Sequence, residues 1–169
     1  MFSRTGHEWG AQLPAIAATL RALPVRSAIL DGEGVICGPD GASDFDRMRA
    51  VFSRKGSPEV FLYAFDVLEL DGRDLRGQRW DERRELLTQL LGRCQDGLRL
   101  SEHIADTDGE AVFRQACTMG LEGIVAKRRD SRYRSGRCRD WIKIKNHKHP
   151  AYERAVLIAL SKRTGSRSR

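Results

Sequence analysis

Two rhythms of apolar and polar positions run along the chain. From Leu13 to Leu23 the apolar residues Leu13, Ile16, Ala17 and Leu20 fall at helical spacing and stop before Pro24, which predicts a first helix. Val25 to Cys37 reads as a strand interrupted at Asp31-Gly-Glu-Gly34, and Gly38-Pro-Asp-Gly41 predicts a hairpin-like turn. Asp44 can cap a short helix reaching Phe52. The strongest strand signal is Val60 to Leu70, with Phe61, Tyr63, Phe65 and Val67 expected on one face and Asp71-Gly72 turning the chain.

Further on, Leu86, Leu87 and Leu90 mark an amphipathic helix from Asp81 to Leu91, and Leu98 to Ile104 predicts a strand. Gly109 to Met119 predicts another helix, stopped by Gly120. Strands follow at Gly123–Ala126 and Trp141–Lys145, then a short helix from Tyr152 to Leu160. In Trp141-Ile-Lys-Ile-Lys145, alternation puts Trp141, Lys143 and Lys145 on one face and Ile142 and Ile144 on the other, the apolar face expected to anchor in a core. Helices and strands mix without a regular βαβ order and without internal repeats, so the expected class is α+β.

Composition narrows the partners. The chain has 169 residues, 40% of them hydrophobic, enough for one domain with a core. No apolar run approaches the roughly 18–20 residues of a membrane span, and no apolar stretch after Met1-Phe-Ser-Arg4 suggests a signal peptide. Cys37, Cys94, Cys117 and Cys138 are widely spaced, which points to reduced thiols in a cytoplasmic protein rather than to zinc or disulfides. The net charge of +7 is uneven: 15 of the 30 Lys and Arg residues lie from Lys127 onward, against three of the 23 acids. Nucleic acid or nucleotide phosphate is the natural partner of that basic end, although Ser161 to Arg169 reads equally as a solvated tail.

Singly, the local motifs are modest. Asp31-Gly-Glu33 alone is usually a turn with a solvated carboxylate, and the aromatic stripe ending at Phe65 is usually sheet core. Glu122-Gly-Ile-Val-Ala-Lys127 says more, because charges bracket an apolar strand. The odd separation of Glu122 and Lys127 would put them on opposite faces of an unbroken strand, so either the strand ends before one of them or a bulge intervenes.

In order, Ser3-Arg4-x-Gly6, Leu30-Asp-Gly-Glu33, Phe65-Asp-x-Leu-x-Leu-Asp-Gly72, and Glu122–Lys127 followed by Trp141–Lys145 resemble the adenylation domain of ATP-dependent DNA ligases, within the covalent nucleotidyltransferases. The bacterial short ligases and ligase-D-type domains are the most similar, through Tyr133-Arg-Ser-Gly-Arg137 and Lys145-Asn-His-Lys-His-Pro-Ala151. The resemblance implies an α+β nucleotidyltransferase (ATP-grasp-like) fold of mostly antiparallel sheets flanked by helices. Residues 1–152 would form a partial adenylation domain lacking its first strands, and 153–169 a short helix and a disordered basic tail.

It also implies a chemistry: a lysine takes AMP from ATP, AMP passes to the 5′-phosphate of a nick, and the 3′-hydroxyl displaces it. By similarity, Lys143 and Lys145 contact the α-phosphate, Lys127 adds charge nearby, and Glu122 holds Mg²⁺ or Mn²⁺. Arg4 and Glu33 touch the ribose side and Phe65 stacks on adenine. Arg128, Arg129, Arg132, Arg134, Arg137 and Arg139 suit DNA backbone. The implied partners are nicked double-stranded DNA and ATP or AMP, with no membrane, for a monomer or one with accessory repair proteins, in a nucleoid-associated role in DNA repair or recombination.

Two departures qualify this. The family's Lys-x-Asp-Gly belongs upstream of Ser3, whereas the first lysine here is Lys55, so the adenylated nucleophile is expected to be missing, through truncation or a misplaced start. Only 24 residues follow Lys145, too few for the OB-fold that most ligases carry there. A non-catalytic nucleotide- or DNA-binding remnant, and an RNA ligase or capping-type nucleotidyltransferase, stand as alternatives.

Overall fold

A computed structural model describes residues 1–3, 5–38, 47–48, 60–92, 97–150 and 152. The predicted turn at Gly38–Gly41, the helix from Asp44 to Phe52, the helix from Tyr152 to Leu160 and the tail at Ser161–Arg169 lie wholly or mostly outside them, as do Arg4 and Cys94. The chain divides into two units, residues 1–103 with 129–134, and residues 104–128 with 135–169.

The first unit is built on β2, Val60–Leu70. Strand β1, Ala28–Ile36, pairs antiparallel with one edge of β2. The short β3, Arg73–Asp74, and the parallel β4, Leu98–Leu100, share its other edge. Asp71 and Gly72 both have positive φ, 51° and 86°, the conformation a two-residue hairpin turn demands and that an Asp-Gly pair tolerates.

Helix α1, Pro14–Arg21, begins on a proline whose missing N–H costs nothing in a first turn. Helix α2, Trp80–Leu91, lays Leu87 and Leu91 against Ala64, Val67, Leu75 and Leu98, while Leu13 and Ile16 meet Ile36, Met48 and Val60 in a second cluster. Each fully buried Leu or Val side chain contributes about 1.5–3 kcal/mol of transfer free energy.

Three expectations for this sheet need correcting. Strand β1 is not interrupted at Asp31–Gly34: pairing continues through Gly32, where a Cβ would meet the Tyr63 carbonyl oxygen at 2.9 Å and only a bare backbone fits. The aromatic stripe of β2 is not one face. Its register steps over Phe65 and again over Leu68, two bulges that send Val67 into the core with Ala64. The strand predicted to Ile104 stops at Leu100, and Ile104 is exposed.

Next to the first bulge lies a fully buried ion pair. Arg83 of α2 donates from Nε and Nη2 to the two carboxylate oxygens of Asp66, both at 2.8 Å. Val67 N–H donates to Asp66 Oδ1 at 2.9 Å, and Arg83 Nη1 donates to the carbonyls of Gln78 and Ser131 at 2.6 and 3.4 Å. That last bond helps to fix residues 129–134. Asp81 N–H donates to the Arg129 carbonyl, Tyr133 N–H donates to the Arg76 carbonyl, and the Tyr133 hydroxyl donates to Asp31 Oδ2 at 3.1 Å.

The second unit holds α3, Gly109–Thr118, capped by the Asp108 side chain accepting from Glu110 N–H at 3.0 Å, with Gly120 (φ +70°) just beyond its end. Strands β5, Gly123–Lys127, and β6, Trp141–Lys145, form an antiparallel pair. No helix among the described residues is long and apolar enough to cross a membrane.

Asp66→Ala or Arg83→Met leaves one charge buried alone and should cost about 3–5 kcal/mol in urea unfolding; a loss under 1 kcal/mol would contradict the role given to the pair. The Tyr133 hydroxyl is held above the ordinary tyrosine value by burial first and the Asp31 charge second. Its stabilising bond is therefore complete below pH of about 10 and lost as pH rises through the raised value. The urea-midpoint gap between the wild type and Tyr133→Phe should be flat from neutral pH and close only in alkali.

Candidate functional site

The β5–β6 register pairs Gly123 with Lys145, Val125 with Lys143 and Lys127 with Trp141. Cross-strand partners share a face, so Lys127, Lys143 and Lys145 all project from one side. Lys127 Nζ sits 3.9 Å from the Trp141 ring centroid, a cation–π contact that braces the ammonium without neutralising it.

Glu122 precedes β5, which settles the parity question: the strand begins after it. Gly123 has φ +149°, and a Cβ there would approach Lys145 Cα at 2.9 Å and strike the Ile144 carbonyl oxygen. Only glycine permits this turn and close approach together. The bend carries the Glu122 carboxylate back over the lysine face, with Oε1 3.3 Å from Lys143 Nζ and 3.8 Å from Lys145 Nζ.

Asn146, buried at the end of β6, clips the two strands. Its N–H donates to the Glu122 carbonyl at 2.8 Å and Nδ2 donates to the Leu121 carbonyl at 3.1 Å. Sequence reasoning did not single out Asn146; its place directly after the lysine strand was the available signal.

Among the described residues three ammonium groups and the Glu122 carboxylate share this face, and exposed Lys–Glu pairs are weak enough to rearrange around an incoming anion. Among the described residues no group of three or more His, Cys, Asp or Glu side chains could hold a metal. A cation here would therefore rely on the Glu122 carboxylate together with ligand oxygens, which is an acceptable donor set for Mg²⁺. The opposite face is a further correction: Ile142 and Ile144 are 56% and 37% exposed, so this strand is anchored by its register and by Asn146 rather than by a buried apolar face.

Of the remaining predicted residues, Arg4 lies outside the described ones. Glu33 and Phe65 belong to the first unit, Glu33 exposed on β1 and Phe65 half-buried at the first bulge. The arginines divide: Arg129, Arg132 and Arg134 belong to the first unit, Arg128, Arg137 and Arg139 to the second. All six are exposed, and Arg128 lies 3.9 Å from Asp140. A recess beside α2, lined by Trp80, Arg84, Thr88, His103 and Arg129, contains only Arg129 of the predicted set.

The family model described as "ATP dependent DNA ligase domain" matches residues 1–145. A multifunctional non-homologous end joining protein LigD of Pseudomonas aeruginosa is 35% identical over 168 residues, covering 99% of this chain and 20% of the relative. A protein of similar name from Mycobacterium tuberculosis is 38% identical over 145 residues, covering 85% of this chain and 18% of the relative. The chain thus spans about a fifth of the length of these relatives. A solved structure of mycobacterial DNA ligase D complexed with ATP and MES matches with a TM-score of 0.70 at 38% identity, covering 86% of this chain and 46% of that one.

Gly123→Ala should loosen the hairpin by about 1–3 kcal/mol. Hydrogen exchange would accelerate at the β5 and β6 amides while those of α2 and β2 keep their protection; protected hairpin amides in the variant would refute the close-approach argument.

Proposed function

The chain belongs to the ATP-dependent DNA ligase domain family, and from that premise we propose that its lysine-rich hairpin receives the α-phosphate of ATP and, later, the phosphates joining AMP to a nicked DNA end. The observation that carries this reading is the convergence of Lys143 and Lys145 on Glu122, with Lys127 on the same strand face. Nucleotidyl transfer spreads negative charge over phosphoryl oxygens, so its main requirement is fixed positive charge in the right place.

Lys143 and Lys145 exchange the Glu122 carboxylate for phosphoryl oxygens as the anion enters, and Lys127, held by Trp141, adds charge without moving. Glu122, released from the lysines, is the residue that would hold Mg²⁺ or Mn²⁺. When bound, such an ion neutralises further phosphate charge. By motif, Glu33 is assigned to ribose hydroxyls and Phe65 to adenine. Arg4 is assigned to the ribose–phosphate side by motif alone. Arg128, Arg129, Arg132, Arg134 and Arg137 supply phosphodiester contacts that position duplex DNA without reading its sequence. The biological setting these roles fit is the sealing of nicks in DNA repair, in line with the end-joining names of the relatives.

The 169 residues contain no Lys-x-Asp-Gly, so none of them is assigned the attack on ATP. This polypeptide should bind ATP·Mg²⁺ in calorimetry and lose at least tenfold in affinity when Lys143 and Lys145 are both replaced by methionine, a loss of about 1.4 kcal/mol or more. Incubated with α-labelled ATP, it should show no label surviving a denaturing gel. Unchanged affinity in the double variant would sink the phosphate role, and a covalent band would reveal an unassigned nucleophile.

A further inference from the structure

One cationic side chain on the Glu33 face of the first unit belongs to none of the motifs above. In the sheet register Glu33 of β1 pairs with Tyr63 of β2, and Tyr63 pairs with Arg99 of β4. The three form one cross-strand row, with side chains on one side of the sheet, opposite Leu62, Ala64 and Leu98. Strand spacing puts the outer two about 10 Å apart along the row.

Arg99 is held with care. Its guanidinium carbon lies 3.7 Å from the Phe61 ring centroid, close enough to be stacked on the ring, and 5.8 Å from that of Tyr63. Nη1 donates to the Tyr63 hydroxyl at 3.0 Å. Stacking covers a face of the guanidinium plane, which carries no donor, and leaves most of its N–H edge open. Among the described residues no carboxylate lies within ion-pair distance of it. Half-buried, this cation has lost part of its hydration and gained no opposite charge in return among the described residues. If packing on Phe61 were the whole role, an aliphatic side chain would serve at lower cost.

We propose that Arg99, stacked on Phe61 and fixed by Tyr63, receives a phosphoryl oxygen of a nucleotide or nucleic acid bound across the Glu33 face. The inference rests on the nucleotidyltransferase reading of the chain and adds a phosphate contact to it. The fork geometry suits a phosphate bound through two N–H groups, which a lysine cannot reproduce.

The test compares wild type, Arg99→Gln and Arg99→Lys for binding of ATP·Mg²⁺ and of nicked duplex DNA across a salt series, with thermal unfolding as the check on folding. If the phosphate is in the DNA, Arg99→Gln loses roughly tenfold in DNA affinity and the log–log salt slope flattens by about one, with ATP binding unchanged. If it belongs to the nucleotide, the loss appears with ATP instead and the DNA slope stays. Arg99→Lys, which keeps the charge, should retain the DNA salt slope yet recover only part of the affinity. Should the glutamine variant not fold, an Arg99→Lys protein matching wild type on both ligands overturns the proposal. A folded Arg99→Gln protein that binds both as wild type does overturns it while leaving the hairpin reading intact. Wild type that binds neither ligand overturns both.

Discussion

The buried pair of Arg83 and Asp66 is the constraint on which the first unit depends. Two charges removed from water are tolerable only if they are well paired, and here each guanidinium nitrogen and both carboxylate oxygens are engaged: two matched bonds between the groups, Val67 N–H on the carboxylate, and the Gln78 carbonyl on the remaining fork nitrogen. The geometry leaves little freedom. It fixes the turn entering α2, the β2 residue beside the bulge that carries Phe65, and, through the Ser131 carbonyl, the segment between β5 and β6 that docks in this unit. Tyr133 then ties that segment to Asp31, two residues from Glu33. A core network therefore holds the strand that carries Glu33.

The hairpin of the second unit follows a different logic. Its ion pairs are half exposed and contribute little to stability. What holds Lys143 and Lys145 in place is backbone: the strand register, the Gly123 close approach and the Asn146 clip. Such a site can give up its internal ion pairs to a phosphate without unfolding. Rigid backbone beneath loosely paired charges is the arrangement that electrostatic stabilisation of a developing anion requires.

Much of this was legible in the chain. Helical spacing of leucines located α2 to within a residue, and the ordered motifs named the family before any geometry was known. The shared face of Trp141, Lys143 and Lys145 followed from alternation alone. What alternation could not supply were the departures from it. The bulges at Phe65 and Leu68 arise from pairing with β1, so Val67 was assigned to the wrong face. The positive φ of Gly123, which turns Glu122 onto the lysines, depends on how closely β6 approaches. Ile142 and Ile144 have the pattern of a buried face without the burial, because exposure is set by what packs over a strand. Tyr133 and Arg99 act through partners 102 and 36 positions away in the chain, contacts that local reading could not supply, whereas Asn146 was signalled only by its place after the lysine strand.

The central claim, that the Glu122–Lys143–Lys145 cluster exchanges carboxylate for phosphate, is tested most directly by following the lysine side-chain resonances during an ATP·Mg²⁺ titration, with AMP and adenosine as controls. The account predicts that the signals of Lys143 and Lys145 shift in a saturable way with ATP and with AMP, which share the α-phosphate, but not with adenosine. Lysine signals that ignore ATP, or that respond equally to adenosine, would contradict it.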